Sequence, residues 1–327
     1  MIRSAFRRRV LFLLPPAALL MLAGVGWLTW RSMPRTLDAA EMAALYSQPR
    51  RPPDGPLAVY HLGHSLVGRD MPALLAQLAG TGHRYDIQLG WGTSLREHWE
   101  PDLEIAGFAA ENDHPRHRPA EAALASGEYD AVILTEMVEI RSAIRYHDSA
   151  DYLARWTGRA RAGNPQATVF LYETWHPLDD PDGWLGRLNR DLALYWEGAI
   201  LNPALAAQSE ERRAPVYLIP GGQVMAALVL QIENGGAVPG LGTRRDLFAL
   251  AADGTQDQIH VNDHGAYLIA LTHYAVLYAR SPVGLPHALS RADGTPMTPL
   301  APEAARLMQE VVWDVVTSLP RTGVGPS

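Results

Sequence analysis

Gly63-His64-Ser65-Leu66 follows directly on a short apolar run, Leu57 to Leu62. A serine hydroxyl carried on a turn at the end of a strand is placed to attack an electrophile, and the glycine permits the tight turn before it. The same serine is equally suited to capping a following helix, so by itself it decides nothing. Far down the chain stands Asp257-Gln258-Ile259-His260. A carboxylate and an imidazole three residues apart fit on one turn, with the carboxylate accepting from Nδ1 so that Nε2 faces a hydroxyl. Alone, that pair reads as a solvated aspartate and a loop histidine. Together the three side chains are the set that nucleophilic acyl chemistry requires: a hydroxyl, a base to take its proton, and a carboxylate to orient the base.

Such a set works only if the fold brings its members together. After Leu57–Leu62 comes Met71 to Leu78 with helical spacing of apolar residues, which predicts strand, turn, helix. Similar short apolar runs recur at 85–89, 131–134, 168–172 and 216–219. Helix-length segments separate them, such as 150–161 and 186–201. This alternation predicts an α/β domain with a parallel sheet covered by helices, and the site then lies outside the carboxyl ends of the strands. A helix at 266–277 follows the Asp257/His260 pair. An amphipathic one at 302–319 is expected on the outside of the sheet, with a frayed end beyond it.

Residues just after each run are therefore the ones to weigh. Trp175 and His176 follow the fourth run and are expected to border the pocket, with packing under the loop as the alternative reading for Trp175. His98 and Trp99, on the loop after the second run, are further candidates for substrate contact. Asp113, His114 and His117 have a loose metal-site look, but Arg116 and Arg118 beside them oppose a divalent ion, and no metal is assigned. Asn262 is expected to hold its turn by bonding backbone. Gly235-Gly236 and Gly240-Leu241-Gly242 lack the strand-before, helix-after setting of a nucleotide loop, so no cofactor is implied.

The Gly-His-Ser-Leu block, the Gly90-Trp-Gly-Thr-Ser94 block after the second run and Asp257-x-x-His260 together resemble the SGNH hydrolases, also called GDSL-like esterases and lipases. The resemblance spans about Leu57 to Arg280. It implies a flavodoxin-like three-layer α/β/α sandwich, with Ser65 as nucleophile, His260 as general base and Asp257 as its orienting partner. It also implies an oxyanion hole made by the backbone amides of Ser65 and Gly92. The family's third donor, an asparagine after the third strand, is absent: the sequence reads Leu134-Thr135-Glu136-Met137. An ionised Glu136 would repel an oxyanion, so Thr135, a protonated Glu136 or an amide elsewhere has to serve.

Arg3, Arg7, Arg8 and Arg9 precede an uncharged apolar run from Val10 to Trp30, about 31 Å long if helical at ~1.5 Å per residue, enough to span a bilayer. Residues 1–31 are read as an uncleaved signal anchor, 32–56 as a proline-bearing linker with a short helix-like stretch at 37–46, and 57–320 as the hydrolase-like domain. The arginine asymmetry puts the body in the periplasm or cell exterior. Pro15-Pro16 weakens the spanning helix, and a cleaved signal peptide, which would secrete the body, is the alternative. The formal net charge of −7 gives no basic surface for nucleic acid, and the absence of cysteine excludes disulfides and thiolate chemistry. The expected partner is an acyl ester, in particular an O-acetylated envelope or extracellular polysaccharide. The alternatives are O-acyl transfer on the same fold and a non-catalytic polysaccharide-binding or assembly protein.

Overall fold

Five short apolar runs become five parallel strands: β1 (Ala58–His64), β2 (Arg84–Gly90), β3 (Ala131–Thr135), β4 (Thr168–Glu173) and β5 (Tyr217–Pro220). The structure, a computed structural model, describes residues 35–325. The sheet order is β2-β1-β3-β4-β5, the flavodoxin-like order. Chain direction across the sheet reverses between β1 and β3, which opens a crevice at their carboxyl ends.

Strand side chains alternate between two cores, as the two-residue period of a strand demands. Val59, Ile133, Phe170 and Ile219 pack on one face, with helices Asp70–Ala79, Gly221–Gln231, Asp263–Tyr278 and Pro302–Ser318. Tyr60, Val132, Leu171 and Leu218 pack on the other, against helices that include Ser149–Gly163 and the Leu192–Leu201 segment. Burial on both faces explains why the strands read as continuous apolar runs without polar alternation. The helix expected at 186–201 begins at Trp184 and widens to a π-helix from Leu192 onward.

Two expectations change. Residues 36–56, read as a linker, lie against the body within one compact unit. Helix Ala39–Leu45 is fixed by an Asp38/Glu41 capping box and buries Met42, while Tyr46 donates to the Val216 carbonyl at 2.6 Å and Arg50 to that of Leu277 at 3.0 Å. The chain end read as frayed is also packed: Thr322 and Val324 are buried, and the Gly323 carbonyl accepts from the Arg50 amide at 2.6 Å. Alternating small and apolar residues in a proline-rich stretch carry too little periodicity to reveal such docking. The spanning helix expected at Val10–Trp30 lies outside the described residues. Among the described residues no helix is long and apolar enough to cross a membrane.

A small antiparallel pair, β6 (Phe248–Leu250) and β7 (Gln256–Val261), stands apart from the main sheet. It carries Asp257 and His260. Where a turn was expected there is an irregular strand, and the pairing with β6 shifts register along it.

Candidate active site

Ser65 follows β1 at the crevice where the sheet order reverses. Its Oγ lies 3.1 Å from Nε2 of His260, whose Nδ1 lies 2.9 Å from Oδ2 of Asp257. The other oxygen of Asp257 accepts the amides of Ile259 and His260, each at 2.8 Å. This local loop of bonds orients the carboxylate before it ever meets the ring. Burial pushes the Asp257 carboxyl up, but the two amides and the His260 ring outweigh it and hold the group below the ordinary carboxylate range. Asp257 therefore stays ionised at neutral pH, and an anion at Nδ1 stabilises the imidazolium that forms when Nε2 takes a proton.

Neighbouring elements hold the hairpin that carries this pair. Asn262 caps helix Asp263–Tyr278, accepting from the amides of His264 and Gly265, and its Nδ2 donates to the carbonyls of Asp246 and Phe248. Gly265 is required here because a Cβ would stand 2.3 Å from the Leu247 carbonyl oxygen and 2.6 Å from the Val261 Cβ. On the other side Trp175 donates from Nε1 to the Ile259 carbonyl at 2.7 Å, and the Leu178 amide donates to the Gln258 carbonyl at 2.8 Å. Each bond lands between Asp257 and His260.

Trp175 thus acts on the pair from beneath. It is 2 % exposed and His176 is 4 % exposed, so neither borders an open pocket as expected from their place after β4. Trp184 covers them, donating from Nε1 to the His176 carbonyl at 3.0 Å. Burial pushes the His176 imidazole down to about 4, which leaves it neutral.

Glu136 and Thr135 are likewise enclosed. Oε1 of Glu136 accepts the amides of Met137 (2.8 Å) and Leu95 (3.3 Å), and burial pushes the carboxyl up to about 7. The Thr135 hydroxyl is buried without a partner among the described residues. Neither lines the cavity of about 200 Å³ at Ser65 and His260.

Gly92 lies on the loop after β2, exposed, with a left-handed φ of 56°. Its strand ends level with that of Ser65, because Gly90 pairs with His64. Its amide has no acceptor among the described residues, and Gly92 is not among the residues that line the cavity at Ser65.

Two histidines beside Ser65 are structural. His64 donates from Nε2 to the Glu136 carbonyl at 2.8 Å, and His98 from Nε2 to the Gly63 carbonyl at 2.8 Å. Burial pushes each down to about 4, so neither competes as a base. His98 in turn accepts from Gln88, whose Oε1 accepts the Ala120 amide. Trp99 is half-buried and packs edge-on against Trp156 at 4.9 Å. Sequence reasoning missed the roles of His64, Gln88 and Trp175, because a side chain bonding a distant carbonyl leaves no periodic trace.

No family model and no curated protein matches this chain. Among solved structures it is similar to a DUF4886 family protein from Bacteroides uniformis, with 15% identity over 80% of this chain and 95% of that one and a TM-score of 0.49. It is also similar to a mutant of an acetyl esterase solved with an acetate ion, with 17% identity over 68% of this chain and 96% of that one and a TM-score of 0.31. At such scores neither likeness bears on activity, and the chain is an α/β protein with a five-stranded parallel sheet flanked by helices whose site stands on its own geometry.

Proposed function

We propose that the protein is a serine esterase of the SGNH type, acting on short acyl esters. The observation that carries this reading is the unbroken relay from Ser65 Oγ through His260 to Asp257, with distances of 3.1 and 2.9 Å. Ser65 attacks the ester carbonyl while His260 takes its proton, and the same proton passes to the departing alcohol. Water then attacks the acyl-serine with His260 again as base, so that a carboxylic acid leaves and Ser65 regains its hydrogen. The Ser65 and Gly92 amides would hold the oxyanion in both steps, each worth about 3 kcal/mol in the transition state. The cavity beside Ser65, about 200 Å³ and lined by Leu66, Met71 and Ile269 together with Arg69, Asp70 and Asn262, favours a short acyl group over a long chain by its size.

The arginine-flanked run at Val10–Trp30 supports a body anchored outside the membrane. Reaction of the protein with a fluorophosphonate probe tests the central claim. Labelling is expected at Ser65, to vanish in Ser65→Ala and to fall by at least about a hundredfold in His260→Ala. Folded protein that takes no label would turn the reading toward a binding or assembly role.

A further inference from the structure

Two cavities meet at Arg69 and Asp70. The first is the one at Ser65, lined by polar and apolar side chains alike; the second, about 670 Å³, continues past Glu111 and His114 to Arg116 and Arg291. The Arg116 carbonyl accepts from the Ile87 amide at 2.9 Å, and Ile87 precedes Gly90, the residue that pairs with His64. At about 3.3 Å per residue, the Arg116 backbone on the second cavity's wall lies about 10 Å down the sheet from the level of His64. A molecule that reaches both is longer than a single sugar ring.

The wall of this cleft alternates in sign. Arg291 is bonded twice to Asp263 (2.9 and 2.6 Å), Asp70 accepts the Ala292 amide at 2.8 Å, and Glu111 accepts from the Trp91 indole at 2.8 Å. Arg116 lies 5.0 Å over the Tyr85 ring, and neither it nor Arg69 is in an ion pair among the described residues. Fixed donors and acceptors with no prevailing charge match a partner dense in hydroxyls, each of which both donates and accepts.

Trp91, 57 % exposed, adjoins this cleft through Glu111, a residue of its wall. Its amide donates to the Ala106 carbonyl at 2.8 Å and its indole is tied to Glu111. One ring face rests on Gly107, where a Cβ would stand 2.2 Å from Cδ2 and where φ is +67°. The ring is therefore held in place with its outer face bare. A fixed, bare indole beside a polar cleft is a stacking surface for the apolar face of a sugar ring.

We propose that this cleft binds the alcohol half of the ester and that this half is a carbohydrate polymer. One ring stacks on Trp91, and its neighbours hydrogen-bond to Arg69, Glu111 and Arg116. The assignment rests on the esterase reading of Ser65, but carbohydrate binding is measurable apart from it.

The test is affinity electrophoresis of the Ser65→Ala protein through gels holding xylan, alginate, dextran or glycol chitosan, all without ester groups. At least one polymer is expected to retard the protein. Trp91→Ala should weaken that binding about tenfold, with Trp91→Phe restoring most of it; Arg116→Gln should weaken it too. With Ser65 present, Trp91→Ala should lower the ratio of kcat/KM for the acetylated polymer over p-nitrophenyl acetate by the same factor. Retardation by none of the polymers, or retardation indifferent to Trp91 and Arg116, overturns the proposal even where Ser65 takes the phosphonate. Binding that depends on both residues in a protein whose Ser65 stays unlabelled keeps the carbohydrate site and removes the esterase reading.

Discussion

Two groups of polar side chains stand at the carboxyl ends of the same sheet, one after β1 and the other after β4, and their surroundings differ in kind. Around β4, Glu173, Trp175, His176 and Arg187 are each at most 4 % exposed, and the space between them is about 10 Å³, room for a single water. After β1, Ser65 faces a His260 whose side chain is 47% exposed. Burial pushes Glu173 up to about 8 and His176 down to about 4, so both are neutral at pH 7. Arg187 escapes neutralisation by pairing with Asp191 (2.7 Å), Asp180 (2.5 Å) and Glu139. The contrast separates the two groups by their access to solvent. The β4 group has the richer chemistry on paper, yet nothing from solvent reaches it, and its part is to hold β7 from below through Trp175 and Leu178.

Asp257→Asn should have the largest effect on the exposed group. It should slow phosphonate labelling by about 10² to 10⁴-fold with little change in stability, because the neutral amide no longer favours the imidazolium or fixes its tautomer. An unchanged labelling rate would show that the exposed group is no relay. Arg187→Met strikes the buried group instead. It removes the buried cation that Asp191, Asp180 and Glu139 share, leaving Arg141 beside Glu139, and should cost about 3 kcal/mol in urea unfolding; an unmoved midpoint would mean that the cluster holds nothing together.

Glu136→Gln sharpens the comparison through pH. The folded-state pKa of Glu136 is raised from 4.5 to about 7, so between these values the folded protein binds more protons than the unfolded chain, and stability falls as pH rises. Glutamine removes that penalty. The variant should be more stable by about 3 kcal/mol above pH 7 and equal to the parent below pH 4.5; a gain independent of pH would point elsewhere. The smallest effect belongs to Trp175→Phe, which keeps the ring and deletes the bond to the Ile259 carbonyl. A loss of about 1 kcal/mol is expected, with slower labelling of Ser65. Lost stability with unaltered labelling would detach the β4 group from the catalytic pair.

The parallel sheet was legible because each strand is buried on both sides and so reads as an apolar run. Ser65, Asp257 and His260 could be nominated together only from their combination and chain order, since each alone has a plainer reading; their meeting, at 3.1 and 2.9 Å, is a fact of the fold. What could not be read was where neighbouring residues point. Trp175, His176 and Glu136 follow strands as Ser65 does, yet β4 ends beneath the Trp184 ring and β3 ends beneath the amides of Leu95 and Met137. The β6–β7 hairpin was also hidden, since a three-residue strand such as Phe248–Leu250 carries too few residues to show a period.

By itself the amino-acid sequence determined the alternation of strands and helices, the absence of thiol chemistry and the Asp257-x-x-His260 spacing, because periodicity, composition and short spacings are properties of neighbours along the chain. The tertiary structure alone decided which strand-end residues meet solvent, which carbonyl Trp175 holds, and that Trp91 lies bare beside a cleft. Those outcomes depend on contacts between residues remote in sequence, where burial and the loss of water, acting through the whole fold, set charge and access.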